Sequence, residues 1–243
     1  MTQLSVNLNK IALLRNSRGR DFPNVVDFAQ RFIDRGVHGI TIHPRPDERH
    51  IHRADAYDLG QFLANKDDVE FNIEGNPTDD FLRIIEETRP EQCTLVPDDE
   101  NQLTSDHGWD LVARGEGLRD TLAQIKSWGV RVAVFLDPDV EQVERSAELG
   151  VDRIELYTEG YANAHWSGDH AEVLTQYRAA AQAAQSLGVG VNAGHDLDLE
   201  NLGDFLAIGN ILEVSIGHAL TVECILHGID DVVTRYLKIC ESA

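Results

Sequence analysis

The chain has few lysines, few cysteines and no long apolar run. Only four of its 243 residues are lysine: Lys10, Lys66, Lys126 and Lys238. Three of these fall in helical patterns, so an enzyme-imine aldolase would rest on Lys10 alone. Three cysteines, Cys93, Cys224 and Cys240, are too few and too scattered for a disulfide framework or a cysteine zinc site. No apolar stretch approaches the ~20 residues of a membrane span. Met1–Asn7 lacks the apolar run of a signal peptide, and a cytoplasmic protein is expected. Basic residues are also scarce, 21 Lys and Arg against 42 Asp and Glu, for a formal charge of −21. That field repels nucleic acid and anionic membrane, and neither is expected as a partner.

Against this acidic background one basic stretch stands out. Residues 39–52 begin as an alternating strand, with Thr41 and His43 on one face and Ile40 and Ile42 on the other. Pro44 and Pro46 stop the strand, because neither can donate to a sheet ladder. Arg45, Arg49, His50 and His52 follow at once. A basic cluster at a strand end in so acidic a chain points to an anionic ligand, although solvated loop charge would read the same way. A metal-dependent hydrolase would want its histidine pair on a strand, and His50-Ile51-His52 lies past one.

A small signature recurs along the chain. Gly36-Val37, Gly129-Val130, Gly150-Val151 and Gly188-Val189 each follow a helical pattern and open an apolar run. Glycine suits the left-handed turn past a helix end, and valine suits the strand that follows. Strands are expected at 3–9, 37–43, 69–74, 92–96, 130–136, 152–157, 189–194 and 211–216. Helices are expected near 24–35, 53–65, 78–88, 114–128, 139–149, 169–187, 197–207 and 219–240, the last broken at Gly228. Asp137-Pro138 would cap the fifth of these, and Asp169 the sixth. Eight βα units in one α/β domain spanning 1–243 have the rhythm of a TIM (β/α)8 barrel with a parallel eight-stranded sheet. An open doubly wound sheet would want a Gly-x-Gly-x-x-Gly turn, which is absent.

In a barrel, polar residues at the C-terminal strand ends are the candidates for chemistry. Strand 1 offers Asn7 and Asn9 on one face, then a basic island of Arg15, Arg18 and Arg20 around Gly19. Strand 2 offers His43, strand 3 Asn72 and Glu74, strand 6 Glu155 and Tyr157. Strand 7 ends Asn192-Ala193-Gly194-His195, and strand 8 ends Ser215-Ile216-Gly217-His218. Between strands 4 and 5 runs a long loop, Asp98 to Gly115, expected as a lid. Two carboxylates and two imidazoles suit repeated proton transfer near neutral pH. The glycine-bearing ends of strands 7 and 8 suit a phosphate held by backbone N–H groups at a helix start. A non-catalytic phosphosugar-binding barrel would keep the arginines and phosphate loops without needing Glu74 or His195.

In order and spacing the motifs resemble the pyridoxine 5'-phosphate synthase family nearly end to end. The residues that carry the resemblance are Val6-Asn7 with Leu14-Arg15-Asn16-Ser17-Arg18-Gly19, Gly39-Ile40-Thr41-Ile42-His43-x-Arg45 with Arg49-His50-Ile51, and Asn72-Ile73-Glu74. Leu95-Val96-Pro97, Ile154-Glu155, Val191-Asn192-Ala193-Gly194-His195 and Ile216-Gly217-His218-Ala219 complete it. The resemblance implies a condensation of 1-deoxy-D-xylulose 5-phosphate with 3-amino-2-oxopropyl phosphate, through an imine between the substrates that needs no lysine. It implies His43 and Glu74 as proton acceptors, His195 as a proton donor and Glu155 as a transition-state stabiliser. Asn7, Arg18, Gly217 and His218 would bind the aminoketone phosphate; Arg45, His50 and Thr104 would bind the sugar phosphate. It further implies a homo-octamer, a tetramer of dimers, that uses no metal or organic cofactor. The chain departs from the family at Asn9-Lys10, where Asp-His is common and touches the sugar phosphate, and at Asp196, where glycine is usual.

Overall fold

Eight short strands alternate with helices along the chain, and each strand pairs in parallel with the next until β8 closes on β1. They are β1 Gln3–Asn7, β2 Gly39–Ile42, β3 Glu70–Gly75, β4 Gln92–Leu95, β5 Arg131–Leu136, β6 Arg153–Tyr157, β7 Gly190–Gly194 and β8 Glu213–Ile216. This computed structural model describes residues 1–98, 102 and 104–242. All eight expected strands are present, each trimmed or shifted by a few residues. Among the described residues no helix is long and apolar enough to cross a membrane.

Alternation along each strand separates two environments. Val6, Ile40, Ile42, Ile73, Leu95, Val134, Ile154, Leu156, Val191 and Val214 are buried in the main hydrophobic core. The intervening positions fill the lumen, and there the chain is polar. Ser5 Oγ meets Thr41 Oγ1 at 2.8 Å, Thr94 Oγ1 donates to Asn72 Oδ1 at 3.0 Å, and Asn192 Nδ2 donates to Gln92 Oε1 at 3.4 Å. The lumen is held by a hydrogen-bonded network rather than by aliphatic layers, and these buried polar groups partner one another. The N-terminal end is closed by charge: Arg153 Nη1 lies 3.8 Å from Glu70 and 3.6 Å from Glu213. Above the network Val96, Phe135 and Tyr157 form a separate apolar cluster.

The helices depart from the sequence reading in instructive places. Strand 1 stops at Asn7, and Asn9–Asn16 is a helix, so Asn9 does not share a strand face with Asn7. A second unanticipated helix, Glu159–Ser167, follows β6. Helix Val140–Leu149 is capped by Asp139, whose side chain accepts from the Glu141 and Gln142 N–H groups. Asp137 is not the cap, Pro138 lies outside the helix, and Val140 at the first helical position is exposed. The helix at Ala171–Ser186 begins after His170, not at an Asp169 cap. After β8, helices His218–His227 and Ile229–Glu241 meet at Gly228, the expected break. In the long β4–β5 connection, part of the expected lid (99–101 and 103) lies outside the described residues. From Trp109 onward the segment is anchored: Trp109 N–H donates to the Phe135 carbonyl at 2.8 Å, and Leu111–Arg114 is a short helix.

Candidate active site

Strand register brings the sequence candidates to one end of the barrel. Asn7 pairs with Thr41, Thr41 with Asn72, Glu74 with Thr94, and Glu155 with both Phe135 and Asn192. His43 follows β2 directly. At the mouth of the lumen Asn7 Nδ2 donates to Glu74 Oε2 at 3.3 Å, and His43 Nδ1 stands 3.9 Å from the same oxygen. His43, Glu74 and Glu155 are all buried.

Burial acts on these groups in opposite directions, because it disfavours the charged form of each. Burial, then the nearby charges of Glu155, Asp98 and Glu213, hold the Glu74 carboxyl well above the usual carboxylate range. Burial, then the positive charges of Arg45, His50 and Arg49, hold the His43 imidazole well below its usual value. Burial pushes Glu155 up to about 7, against the pull of His195 and a hydrogen bond from Thr94. Near neutrality the lumen therefore contains a neutral imidazole and two carboxyls poised to exchange protons.

His195 sits across the mouth, partly exposed, on a strained turn. Its φ is +92° and that of Asp196 is +58°, a region L-residues seldom enter. The turn is held by Thr158 Oγ1, which donates to the carbonyls of Gly194, at 2.8 Å, and His195. The left-handed backbone at 196 accounts for the glycine that the resemblance leads one to expect there, and aspartate is among the side chains that tolerate it. The carboxylate is not aimed at open space. Asp196 Oδ2 lies 2.8 Å from His195 Nδ1, while His195 Nε2 lies 3.1 Å from Thr104 Oγ1. The hydrogen bond from His195, with the charges of His195, His218 and Lys10, holds Asp196 below the usual carboxylate range. The two departures of the sequence are thus linked by charge, since Lys10 is one of the cations that lower Asp196. Gly194 is required for a different reason, since a Cβ there would come within 2.6 Å of Glu155 Oε1.

Asn9 has a positioning contact: its Oδ1 accepts the His43 N–H at 2.9 Å. An aspartate would accept the same bond, so the Asn9 departure preserves the geometry. His50 is buried, its Nδ1 accepts the Ile51 N–H at 2.9 Å, and burial with the charges of Arg45 and Lys10 lowers it to about 4. Arg45 is buried against Asp98, to which Ser105 Oγ also donates at 2.7 Å. Arg45 and Arg49 both donate to the Gln102 carbonyl, at 3.2 and 2.8 Å. With Thr104 on His195, the described part of the β4–β5 segment straps the mouth from the β2 side to the β7 side.

Other candidates separate from the site or change character. Arg15, read as part of a basic island, is buried and paired with Asp55, with its Nη2 2.8 Å from Oδ2. Arg18 and Arg20 are exposed beyond that helix. Gly217 leads directly into helix His218–His227, with His218 exposed at its start; the first-turn N–H groups there suit an anion. Helix Leu202–Leu206 starts eight residues beyond Gly194, so of strands β7 and β8 only β8 runs straight into a helix. Sequence reasoning missed Asp98, Thr94 and Thr158. Nothing local marks an aspartate as the partner of an arginine 53 positions away, whereas the β4 alternation does place Thr94 beside Asn72.

Comparison with known proteins agrees with the geometry. The family model described as "Pyridoxal phosphate biosynthesis protein PdxJ" matches residues 4–242. A pyridoxine 5'-phosphate synthase of Xylella fastidiosa (strain M12) is 51% identical over 249 residues, covering 99% of this chain and 95% of that protein. One from Xanthomonas campestris pv. campestris (strain B100) is 49% identical, covering 98% and 96%. Among solved structures, a thiamine phosphate pyrophosphorylase from Pyrococcus furiosus superposes with a TM-score of 0.64 at 11% identity, covering 99% and 96%. A phosphoribosyl anthranilate isomerase from Thermotoga maritima gives 0.62 at 13%, covering all of both chains. At such identities these two establish the barrel and nothing more.

Proposed function

The chain belongs to the PdxJ family, and we propose that it acts as a pyridoxine 5'-phosphate synthase, the name its relatives carry, and closes the pyridine ring of vitamin B6. The substrates of this reading are 1-deoxy-D-xylulose 5-phosphate and 3-amino-2-oxopropyl phosphate; the products are pyridoxine 5'-phosphate, inorganic phosphate and water. The observation that carries it is the meeting of His43, Glu74 and Asn7 at the barrel mouth, with Glu155 and His195 facing them.

In the proposed reaction the substrate amine attacks the substrate ketone, and the carbonyl oxygen leaves as water. His43, kept uncharged by burial among cations, has a free lone pair to take a proton from the attacking nitrogen or from carbon beside the imine. Glu74 is a stronger base than an ordinary carboxylate once ionised, and a cationic amine beside it favours that ionised form. His195 lies between Asp196 and Thr104 and delivers protons to the departing oxygens. Glu155 moves between neutral and charged near pH 7 and stabilises positive charge as it develops. Loss of phosphate, a second carbonyl addition and loss of a second molecule of water then give the aromatic ring.

Two regions supply phosphate contacts in this reading. The start of helix His218–His227, with Asn7, Gly217, His218 and Arg18, takes the aminoketone phosphate. Lys10, Arg45, His50 and Thr104 take the sugar phosphate, with Asn9 and Asp196 positioning their neighbours. A phosphate entering here competes with Asp98 for Arg45, so binding at Arg45 and release of the Asp98 strap are linked. We further place the protein in the cytoplasm as a homo-octamer. Apolar side chains left exposed on helices Asn9–Asn16 (Leu13 and Leu14) and His218–His227 (Val222, Ile225 and Leu226) offer surface for such contacts.

The test is inorganic phosphate release by the purified protein with each substrate alone and with both, alongside absorbance of a pyridine product. Release only with both supports the reading. Glu74→Gln is expected to lose roughly 10²–10⁴-fold in turnover while still binding the sugar phosphate. Unchanged turnover in that variant would remove Glu74 from the chemistry.

A further inference from the structure

Outside the barrel mouth, on the outer layer beyond β6 and β7, three metal-ligating side chains converge. Helix Glu159–Ser167 ends at Gly168, whose φ of +84° reverses the chain. The Gly168 N–H bonds the His165 carbonyl and the Asp169 N–H bonds the Ala164 carbonyl, both at 3.0 Å. This is the pattern of a left-handed glycine closing a helix. It brings His170, just before helix Ala171–Ser186, back over His165, with ring centroids 4.7 Å apart. Asp204 comes from helix Leu202–Leu206, the element after β7. Its Oδ2 lies 3.5 Å from His165 Nε2 and 3.7 Å from His170 Nε2, and the three potential ligand atoms all fall within 4.8 Å of one another.

Those separations decide between two readings. Nitrogen–oxygen hydrogen bonds run at about 2.7–3.2 Å, and both distances exceed that range. Ligand atoms around a tetrahedral ion with bonds of about 2.0–2.1 Å stand about 3.4 Å apart, which both distances approach. The His170 Nδ1 is buried and has no hydrogen-bond partner, so no hydrogen bond through that atom orients the ring. Tyr161 packs against both imidazoles, at 5.8 and 6.0 Å between centroids, and its hydroxyl donates to the Asn201 carbonyl at 2.7 Å. The histidines are therefore seated, while Asp204 is open to solvent for entry of an ion.

We propose that His165, His170 and Asp204 form a divalent-metal site that takes zinc and joins the segments following β6 and β7. Two imidazoles and a carboxylate are a borderline donor set that zinc accepts, with water completing the tetrahedron. The site is separate from the proposed proton chemistry and supplies no step to it. Its effect is mechanical: it ties helix Glu159–Ser167, which follows the strand bearing Glu155, to helix Leu202–Leu206, which follows the turn bearing His195.

The experiment uses tag-free, chelator-treated full-length protein titrated with zinc alone, with bound metal counted after gel filtration and thermal unfolding followed in parallel. One zinc per chain and a higher Tm are expected, and cobalt in place of zinc is expected to give the visible spectrum of a tetrahedral site. Asp204→Asn, at an exposed position that leaves packing intact, and His170→Ala should each weaken zinc binding at least tenfold and remove the Tm rise. His227→Ala, an exposed histidine elsewhere, should do neither. Zinc uptake undiminished in Asp204→Asn, uptake without saturation near one per chain, or equal weakening by His227→Ala would overturn the site.

Discussion

The role proposed for Glu155 rests on its titration. Its carboxyl is pushed up to about 7 by burial, whereas in the unfolded chain a glutamate titrates at about 4.3. Below pH 4 the acid is neutral in both states and folding is not penalised. Between pH 4 and 7 the unfolded chain ionises while the buried group stays protonated, so stability present at low pH is lost, and the loss levels off once the buried group itself ionises. Glu155→Gln should therefore be more stable than the parent above pH 7, by up to about 4 kcal/mol, with the difference vanishing near pH 4. Thermal unfolding across pH reads this; a gain that is constant with pH would mean the burial of Glu155 is not what raises it. At position 196 the backbone is the constraint. Asp196→Val, with a branched Cβ at φ +58°, should cost about 1–2 kcal/mol, and Asp196→Gly should stay within about 0.5 kcal/mol of the parent. Chemical denaturation distinguishes the pair, and equal stability of the valine and glycine variants would deny the strain. The four acid/base candidates were legible in the sequence because each ends a recognisable strand. The ion pairs Arg15–Asp55 and Arg45–Asp98 were not, because the partners lie 40 and 53 positions apart and only the closed barrel brings them together.

At the scale of elements, strands were easier to read than helix ends. Buried runs bounded by glycine carry their own length, and the β-rhythm survives an error of a residue or two. Helix Asn9–Asn16 escaped notice because it starts directly after β1 with Leu8 at its cap position and no capping side chain. Glu159–Ser167 escaped because Gly160 and a scatter of small and aromatic residues blur its apolar stripe. The cap of Val140–Leu149 was misplaced because Asp137 and Asp139 both precede the apolar positions and Pro138 favours the earlier one by local rules. The two aspartates have different duties. Asp139 holds the helix start, whereas Asp137 Oδ2 accepts the Gly108 N–H at 3.2 Å and pins the β4–β5 segment. Asp139→Ala should lower global stability by about 1 kcal/mol. Asp137→Ala should chiefly raise protease cleavage within 102–110. Cleavage enhanced equally by both substitutions would show that the segment is not held separately from the helix.

For the whole molecule, charge and apolar surface pull assembly in opposite directions. Every copy adds a net −21 to the proposed octamer, so association works against a repulsion that salt screens. Helices Asn9–Asn16 and His218–His227 touch, and both leave apolar side chains in solvent, Ile225 at 73% and Leu226 at 68% exposure. Sequence periodicity could not mark these residues, because an apolar stripe reads the same whether its cover is the chain's own core or another copy. If the stripe is an interface, Ile225→Glu with Leu226→Glu should break the assembly into smaller species by adding charge and removing apolar contact at once. The fold should survive, since both side chains stand outside the core. Sedimentation velocity at graded ionic strength separates the two forces: the parent should shift toward smaller species as salt is lowered, and the double variant should be small throughout. An assembly of unchanged size in the double variant would place the contact on another face. A parent that is already monomeric at physiological salt would remove the octamer itself. The Asn7 and Gly217 end of the site adjoins these same helices, so dissociation is expected to reach the aminoketone phosphate as well, seen as a rise in its KM with the sugar phosphate little affected.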